Sequence, residues 1–359
     1  MIAAQRFDRR GGKLLIVGSD GSMRRAPRTE LANLFTPGDL VVANDAATLP
    51  ASLKGTHVAS GAPMEIRLAG WIRLGDPTRF VAVAFGAGDW RTRTEDRPLP
   101  PPFAARDRLA LGPLHAIIDD VLDHSRLVAL RFLGGRDAIV AGLARHGRPI
   151  QYAHLPSPLA LWDVWTRIAA APIAFEAPSA GYALDRAMLA AWRERGVGFA
   201  TLSHAAGLSS TGDSALDRRL PLDEAYRIPA RTAAAIARAK AEERRVVAIG
   251  TSVVRALEAA ADASGVVGAG DGVARGRIAR GTSLRVVDAL LTGAHQPGES
   301  HFELLRAFAD DSTLDRMSAA FIAGDFRGHE FGDSALIARA ARSSVDRNRY
   351  ALASAATVE

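Results

Sequence analysis

The sequence predicts an α/β protein, with a mostly parallel sheet and covering helices, interrupted by an inserted all-β barrel. Three observations predict it. From about residue 136 onward, apolar strand-like runs alternate with helical stretches, the pattern of a parallel sheet covered by helices. Between residues 51 and 133 short polar–apolar alternations are separated by Gly and Pro, which suits a small barrel or sandwich. The first 50 residues carry strand-like runs of the former kind, so the expected division is 1–50 with 134–359 as the α/β domain and 51–133 as the insertion.

Each element follows from its residues. Lys13–Val17 reads as a short buried strand, followed by a turn at 18–21. Residues 29–35 suit a short helix stopped by Pro37 and Gly38, and 39–44 the next strand. In the insertion, 64–68, 79–85, 108–111 and 126–132 alternate as strands, while the proline run at 97–103 must be a loop. Asp185 is placed to cap a helix over 187–195, with Gly196 just past its end and a strand at 198–202. Pro229 opens an Ala- and Arg-rich helix. Residues 245–249 read as a buried strand, 252–263 as a helix and 283–287 as a strand. Ser300-x-x-Glu303 reads as a capping box opening a further helix.

Composition narrows the chemistry. The 359 residues are 48% hydrophobic and 23% charged, ordinary for a folded chain. Net charge is +6 and the isoelectric point about 10.2, which favours anionic partners such as RNA or nucleotides. The cations are scattered arginines without a basic block, a pattern that solvated surface charge also produces. The absence of cysteine excludes disulfides, thiolate nucleophiles and cysteine-ligated clusters. No signal peptide and no long apolar run is evident, so a cytoplasmic protein without a membrane span is expected.

Several motifs fail on context. The glycines at 268–272 do not lie between a strand and a helix start, as a dinucleotide loop requires. His295 and His301 lack the four-residue spacing that puts two ligands on one helical face, and no metal is expected. Gly207-Leu208-Ser209-Ser210 lacks the second glycine of a nucleophile elbow.

Five blocks do carry a pattern. They are Pro37-Gly38-Asp39-Leu40-Val41-Val42-Ala43-Asn44-Asp45, Ala177-Pro178-Ser179-Ala180-Gly181, Arg245 through Glu258, Val286-Val287-Asp288-Ala289-Leu290 with His295 and Pro297, and Phe326-Arg327 with Phe331-Gly332-Asp333. In order and spacing they resemble the motifs PGDLLVFND, APTAG, RVIAVGTTSVRTLE, VVDALxTNFHLP and YRFFSYGDAML of the S-adenosylmethionine:tRNA ribosyltransferase-isomerase family of queuosine biosynthesis. The resemblance runs from about residue 13 to 337. It implies an α/β fold with an inserted barrel. It also implies an enzyme that uses S-adenosylmethionine as substrate and tRNA as partner. The reaction transfers the ribosyl group to a 7-aminomethyl-7-deazaguanine base, giving epoxyqueuosine, adenine and methionine.

The residues of these blocks allow physical readings of their own. Gly250-Thr251-Ser252 stands between a strand and a helix start, where N–H groups and hydroxyls suit an anion; Ser252 as a plain N-cap is the other reading. Arg255, one turn on, suits an anion clamp or a surface ion pair. Pro178, Ser179 and Gly181 belong to a small turn that lets a ligand approach closely, or that is only a turn. His295 sits in a loop beside Gly293 and Pro297, a suitable acid–base position. Asp333 suits a ligand carboxylate or a turn. The resemblance adds Glu224, the one residue kept from the motif HMHSE.

The chain departs from the family at polar positions. Tyr182-Ala183-Leu184 replaces Leu-His-Phe, Ser203 stands at a histidine position, Ala46-Ala47 replaces Thr-Arg, and the usual Asp-Tyr-x-Leu-Pro start is lacking. His204 lies next to Ser203, but a one-residue shift on a strand turns the side chain to the other face. Two alternatives therefore stand beside the family enzyme: a paralogue using S-adenosylmethionine with a small-molecule acceptor, and a non-catalytic binding protein on the same scaffold.

Overall fold

A computed structural model describes residues 1–5 and 11–340; the end of the expected α/β segment, 341–359, lies outside the described residues, as do 6–10. The strands before the insertion are β1 (Lys13–Val17), β2 (Met23–Pro27), β3 (Leu40–Asn44) and β4 (Ala46–Thr48). Those of the insertion are β5 (Ser52–His57), β6 (Pro63–Trp71), β7 (Arg79–Phe85), β8 (Arg108–Leu111), β9 (Leu114–Val121) and β10 (Leu127–Phe132). After it come β11 (Ala171–Ala174), β12 (Gly198–His204), β13 (Glu224–Ile228), β14 (Val246–Ile249), β15 (Gly270–Ala274), β16 (Ala289–Gly293) and β17 (Ser334–Ala338).

Nine strands form one sheet in the order β15-β13-β12-β3-β14-β16-β17-β1-β2. Its centre, β12-β3-β14-β16, is parallel throughout. β17 runs antiparallel to β16 and parallel to β1, and the outer strands β13, β15 and β2 run antiparallel to their neighbours. The sheet is therefore mixed, with its parallel run in the middle.

The central strands are apolar on both faces because both faces are covered. Leu40, Val42, Val246 and Ala248 pack on Ile236 of the helix Ala230–Ala241 and on Val253 and Leu257 of the helix Thr251–Ala260. Val41, Ala43, Val247 and Ile249 face the other way, onto Leu31, Phe35 and Trp192. The helix Arg186–Glu194, which carries Trp192, is capped as expected: Met188 N donates to the Asp185 carboxylate at 2.8 Å. Gly196 takes the left-handed conformation just past its end, with φ 75°.

The insertion closes into a barrel in the order β10-β7-β6-β5-β8-β9, with every pairing antiparallel. β5 and β9 escape the sequence pattern because SLKGTH and LHAIIDDV lack clean alternation. The barrel is tied to the remainder by the Trp71 indole, which donates to Ile173 O of β11 at 2.7 Å.

Two expectations change. The strand expected at 283–287 lies later, at Ala289–Gly293. The Glu258 carboxylate accepts from the N–H groups of Arg285, Val286 and Val287 at 2.8–3.0 Å, which takes those donors out of any ladder. Ser300 is inside its helix rather than at the cap, which is Glu299, and the capping bond is not made.

Glu258→Ala is expected to lower the unfolding free energy by about 3 kcal/mol, since three backbone donors, two of them buried, lose a charged acceptor. Urea denaturation checks this. Glu258→Gln, which retains an acceptor oxygen, loses less; equal stability of Glu258→Ala and wild type would remove the carboxylate's role.

Candidate active site

The four parallel strands end at one edge, and the candidate site is built there, as open α/β sheets require. β14 runs into Gly250, whose φ of 97° no side chain adopts readily, and the helix Thr251–Ala260 follows. A Cβ on Gly250 would stand 3.4 Å from Ala180 Cβ, so this turn rests against the Pro178–Gly181 turn. Gly250 N donates to Leu291 O of β16 at 2.8 Å. The structure thus brings Pro178, Ser179, Gly181, Gly250, Thr251 and Ser252 into one neighbourhood. The leading N–H groups of the helix have no acceptor within it. Asn44, at the end of β3, donates to His204 O at 2.9 Å and to Ser252 Oγ at 3.4 Å.

His295 follows β16 in this neighbourhood. Its Nδ1 is 3.2 Å from Glu299 Oε2, and its Nε2 is 2.9 Å from Thr292 Oγ1. In the neutral ring Nδ1 carries the proton toward the Glu299 carboxylate and the Nε2 lone pair accepts from the Thr292 hydroxyl; in the cationic ring both nitrogens donate. Burial pushes Glu299 up, but the His295 hydrogen bond and charge outweigh it, and its carboxyl lies below the ordinary range. The His301 ring stacks on His295 at 4.9 Å between centroids. Burial, reinforced by His295, lowers His301 to about 4, so the stacked partner is neutral at pH 7.

Three expected site residues have other work. Arg255 is buried: Nε donates to Glu224 at 2.8 Å, and its other nitrogens donate to the carbonyls of Gly276, Leu222 and Ala274. Those bonds tie the helix to β13 and β15, and the guanidinium is directed at them rather than at an anion on the Gly250 turn. Glu224 also accepts from Gly207 N at 2.7 Å and lies 3.4 Å from His204 Nε2, so it is a buried hub and not a free acid. Asp333 accepts from Lys13 N at 2.6 Å and Arg327 N at 2.8 Å, fixing the loop at the end of the chain's closing motif.

Ser203 and His204 do point apart. Ser203 Oγ donates to Asp45 at 2.6 Å, while His204 is fully buried beside Glu224. Burial lowers His204 to about 4, against the pull of Glu224.

Sequence reasoning missed a second polar group, whose His329 and Glu330 line a cleft beside Ser179 and Gly293. His154 Nε2 is 3.0 Å from Glu330 Oε2, and its ring stacks on His329 at 4.2 Å and 21°. Tyr152 continues the stack at 6.4 Å, and its hydroxyl donates to Glu176. Burial raises both Tyr152 and Glu176 above their ordinary values. The Arg67 guanidinium from β6 lies 5.5 Å from the Tyr152 ring and donates to Glu65 at 2.7 Å. His329 and Glu330 line a cleft together with Ser179, Tyr182, Gly293 and Asp333. These residues sit in loops without periodicity; the only sequence signal is Gly328-His329-Glu330 where the quoted motif has Phe-Phe-Ser.

The imidazoles of His204 and His301 set a pH dependence. A histidine at 6.5 unfolded and about 4 folded binds its proton more tightly in the unfolded chain. Stability is therefore full above about pH 6.5 and falls as pH drops toward 4, by about 2 kcal/mol per group at pH 5. His301→Phe, which keeps a ring but not the proton, is expected to flatten the fall in melting temperature between pH 7 and 5. An unchanged slope would contradict it.

Comparison with known proteins agrees with this arrangement of motifs. The family described as queuosine biosynthesis protein matches residues 1–337. The S-adenosylmethionine:tRNA ribosyltransferase-isomerase of Sorangium cellulosum is 33% identical, covering 92% of this chain and 93% of the relative. That of Anaeromyxobacter sp. is 32% identical, over 92% and 93%. The crystal structure of an S-adenosylmethionine tRNA ribosyltransferase from Thermotoga maritima aligns with a TM-score of 0.49 at 19% identity, over 93% and 95%. The chain belongs to the queuosine biosynthesis protein family, that of the S-adenosylmethionine:tRNA ribosyltransferase-isomerases.

Proposed function

We propose that the protein transfers the ribosyl group of S-adenosylmethionine to a 7-aminomethyl-7-deazaguanine base in tRNA, giving epoxyqueuosine and releasing adenine and methionine. The observation that carries this reading is the His295–Glu299 pair beside the Gly250 and Pro178–Gly181 turns. The relatives' names and the family match support the substrates. The basic net charge of +6 suits a tRNA partner.

The sulfonium of S-adenosylmethionine acidifies the adjacent C5′ protons, so a positioned base of ordinary strength removes one. His295 Nε2, once it gives up the Thr292 hydroxyl for the substrate, is that base in this reading, with Glu299 holding the proton on Nδ1 and stabilising the imidazolium that forms. The Gly250–Ser252 helix start receives an anionic group of the substrate, and the Pro178–Gly181 turn closes on it. Glu224, Arg255 and Asp333 act through positioning. A small-molecule acceptor and a non-catalytic role are not favoured: the family match runs along residues 1–337 and the His295–Glu299 pair is intact.

Incubation with S-adenosylmethionine and deazaguanine-modified tRNA, followed by mass spectrometry, tests the reading. Adenine and methionine release with a ribosyl-sized mass gain on the RNA is expected; S-adenosylmethionine binding without adenine release would overturn it. His295→Ala is expected to lower turnover about 10²–10⁴-fold with an unchanged melting temperature. Full turnover in that variant would remove His295 as the base.

A further inference from the structure

We propose that His154, His329 and Glu330 form a binding site for a divalent cation of the zinc class. The inference is independent of the reaction assigned above. Among the described residues this is the one group of three His, Asp or Glu side chains whose ligand atoms all lie within 4.8 Å of one another. The donors come from two loops more than 170 residues apart, with His154 Nε2 already 3.0 Å from Glu330 Oε2.

The donor set decides the class of ion. Two imidazoles and one carboxylate suit zinc, cobalt or nickel, whereas calcium and magnesium take oxygen-rich sets. One carboxylate against one dication leaves the site cationic, so an oxygen donor from water or substrate completes it. Three protein ligands leave such a position open, as catalytic zinc sites do. His329 and Glu330 line the cleft with Ser179 and Gly293, so the open position faces the candidate active site.

The geometry also states what binding requires. The two rings are stacked 21° from parallel, and their lone pairs meet at one ion only when they open further. His329 is the ring able to turn, since it is exposed on the outer side of the stack. Its backbone takes the left-handed region at φ 64°, uncommon outside glycine and enriched in histidine. This conformation places His329 and Glu330 side by side on the same cleft. His329 and Glu330 stand where the closing motif quoted above has Phe and Ser, so the ligand set belongs to this chain rather than to that pattern.

The alternative is a plain His154–Glu330 hydrogen bond under a stacked ring, with no ion. The two are separated with tag-free protein stripped by chelator, loaded with cobalt or zinc chloride and desalted. One equivalent of metal by mass spectrometry, with a cobalt d–d absorption band, is expected. His329→Ala and Glu330→Ala are expected to lose both signals while keeping the wild-type melting temperature without metal. His329 is exposed, so its removal leaves the core intact. Wild-type protein that keeps no metal after desalting overturns the proposal, as do variants that keep as much as wild type.

Discussion

Four parallel strands, buried on both faces, must end somewhere, and in this chain β12, β3, β14 and β16 end together. Everything placed in the candidate site follows from that edge. Asn44, His204, Gly250 and Gly293 are the residues at those four ends. A parallel strand end leaves backbone groups that the next loop must satisfy: β14 and β16 do so through the backbone bonds of Gly250 N to Leu291 O and Ala294 N to Asp333 O, and β3 and β12 through a side chain. The Asn44 side chain accepts from Ala46 N and His204 N while donating to His204 O. One amide therefore secures two strand ends before any ligand arrives.

Buried carboxylates do the remaining positioning. Glu258 holds the three N–H groups ahead of β16, Glu224 joins Gly207 to Arg255, and Asp333 joins β1 to the loop that carries His329. A carboxylate shared among backbone donors is costly to lose, because the donors are left buried without partners. This explains why acidic residues in family motifs need not be acids of the reaction. His329 and Glu330 remain at the cleft with Asp333, and His295 and Glu299 keep partial exposure beside β16.

The α/β alternation, the inserted barrel, the Asp185 cap and the Gly250 turn were legible because they rest on local residue chemistry. The neighbourhood of Gly250 with Pro178–Gly181 was legible only through the motifs, since no spacing connects residues 180 and 250. Side-chain direction was not legible. Arg255 lies one turn past the Gly250 turn, yet its partner is Glu224 on β13, a choice made by tertiary packing. Residues 283–287 read as a strand from their valines, but Glu258 had claimed their N–H groups from a different element. The Tyr152–His154–His329 stack joins loops that carry no periodic signal.

On the proposed function, S-adenosylmethionine binds at the shared strand edge. Hydrogen–deuterium exchange with and without S-adenosylmethionine tests it without requiring turnover. Slowed exchange is expected in peptides covering 178–184, 250–256 and 292–301, with the barrel strands unchanged. Protection confined to the barrel, or absent from the Gly250 turn, would contradict it.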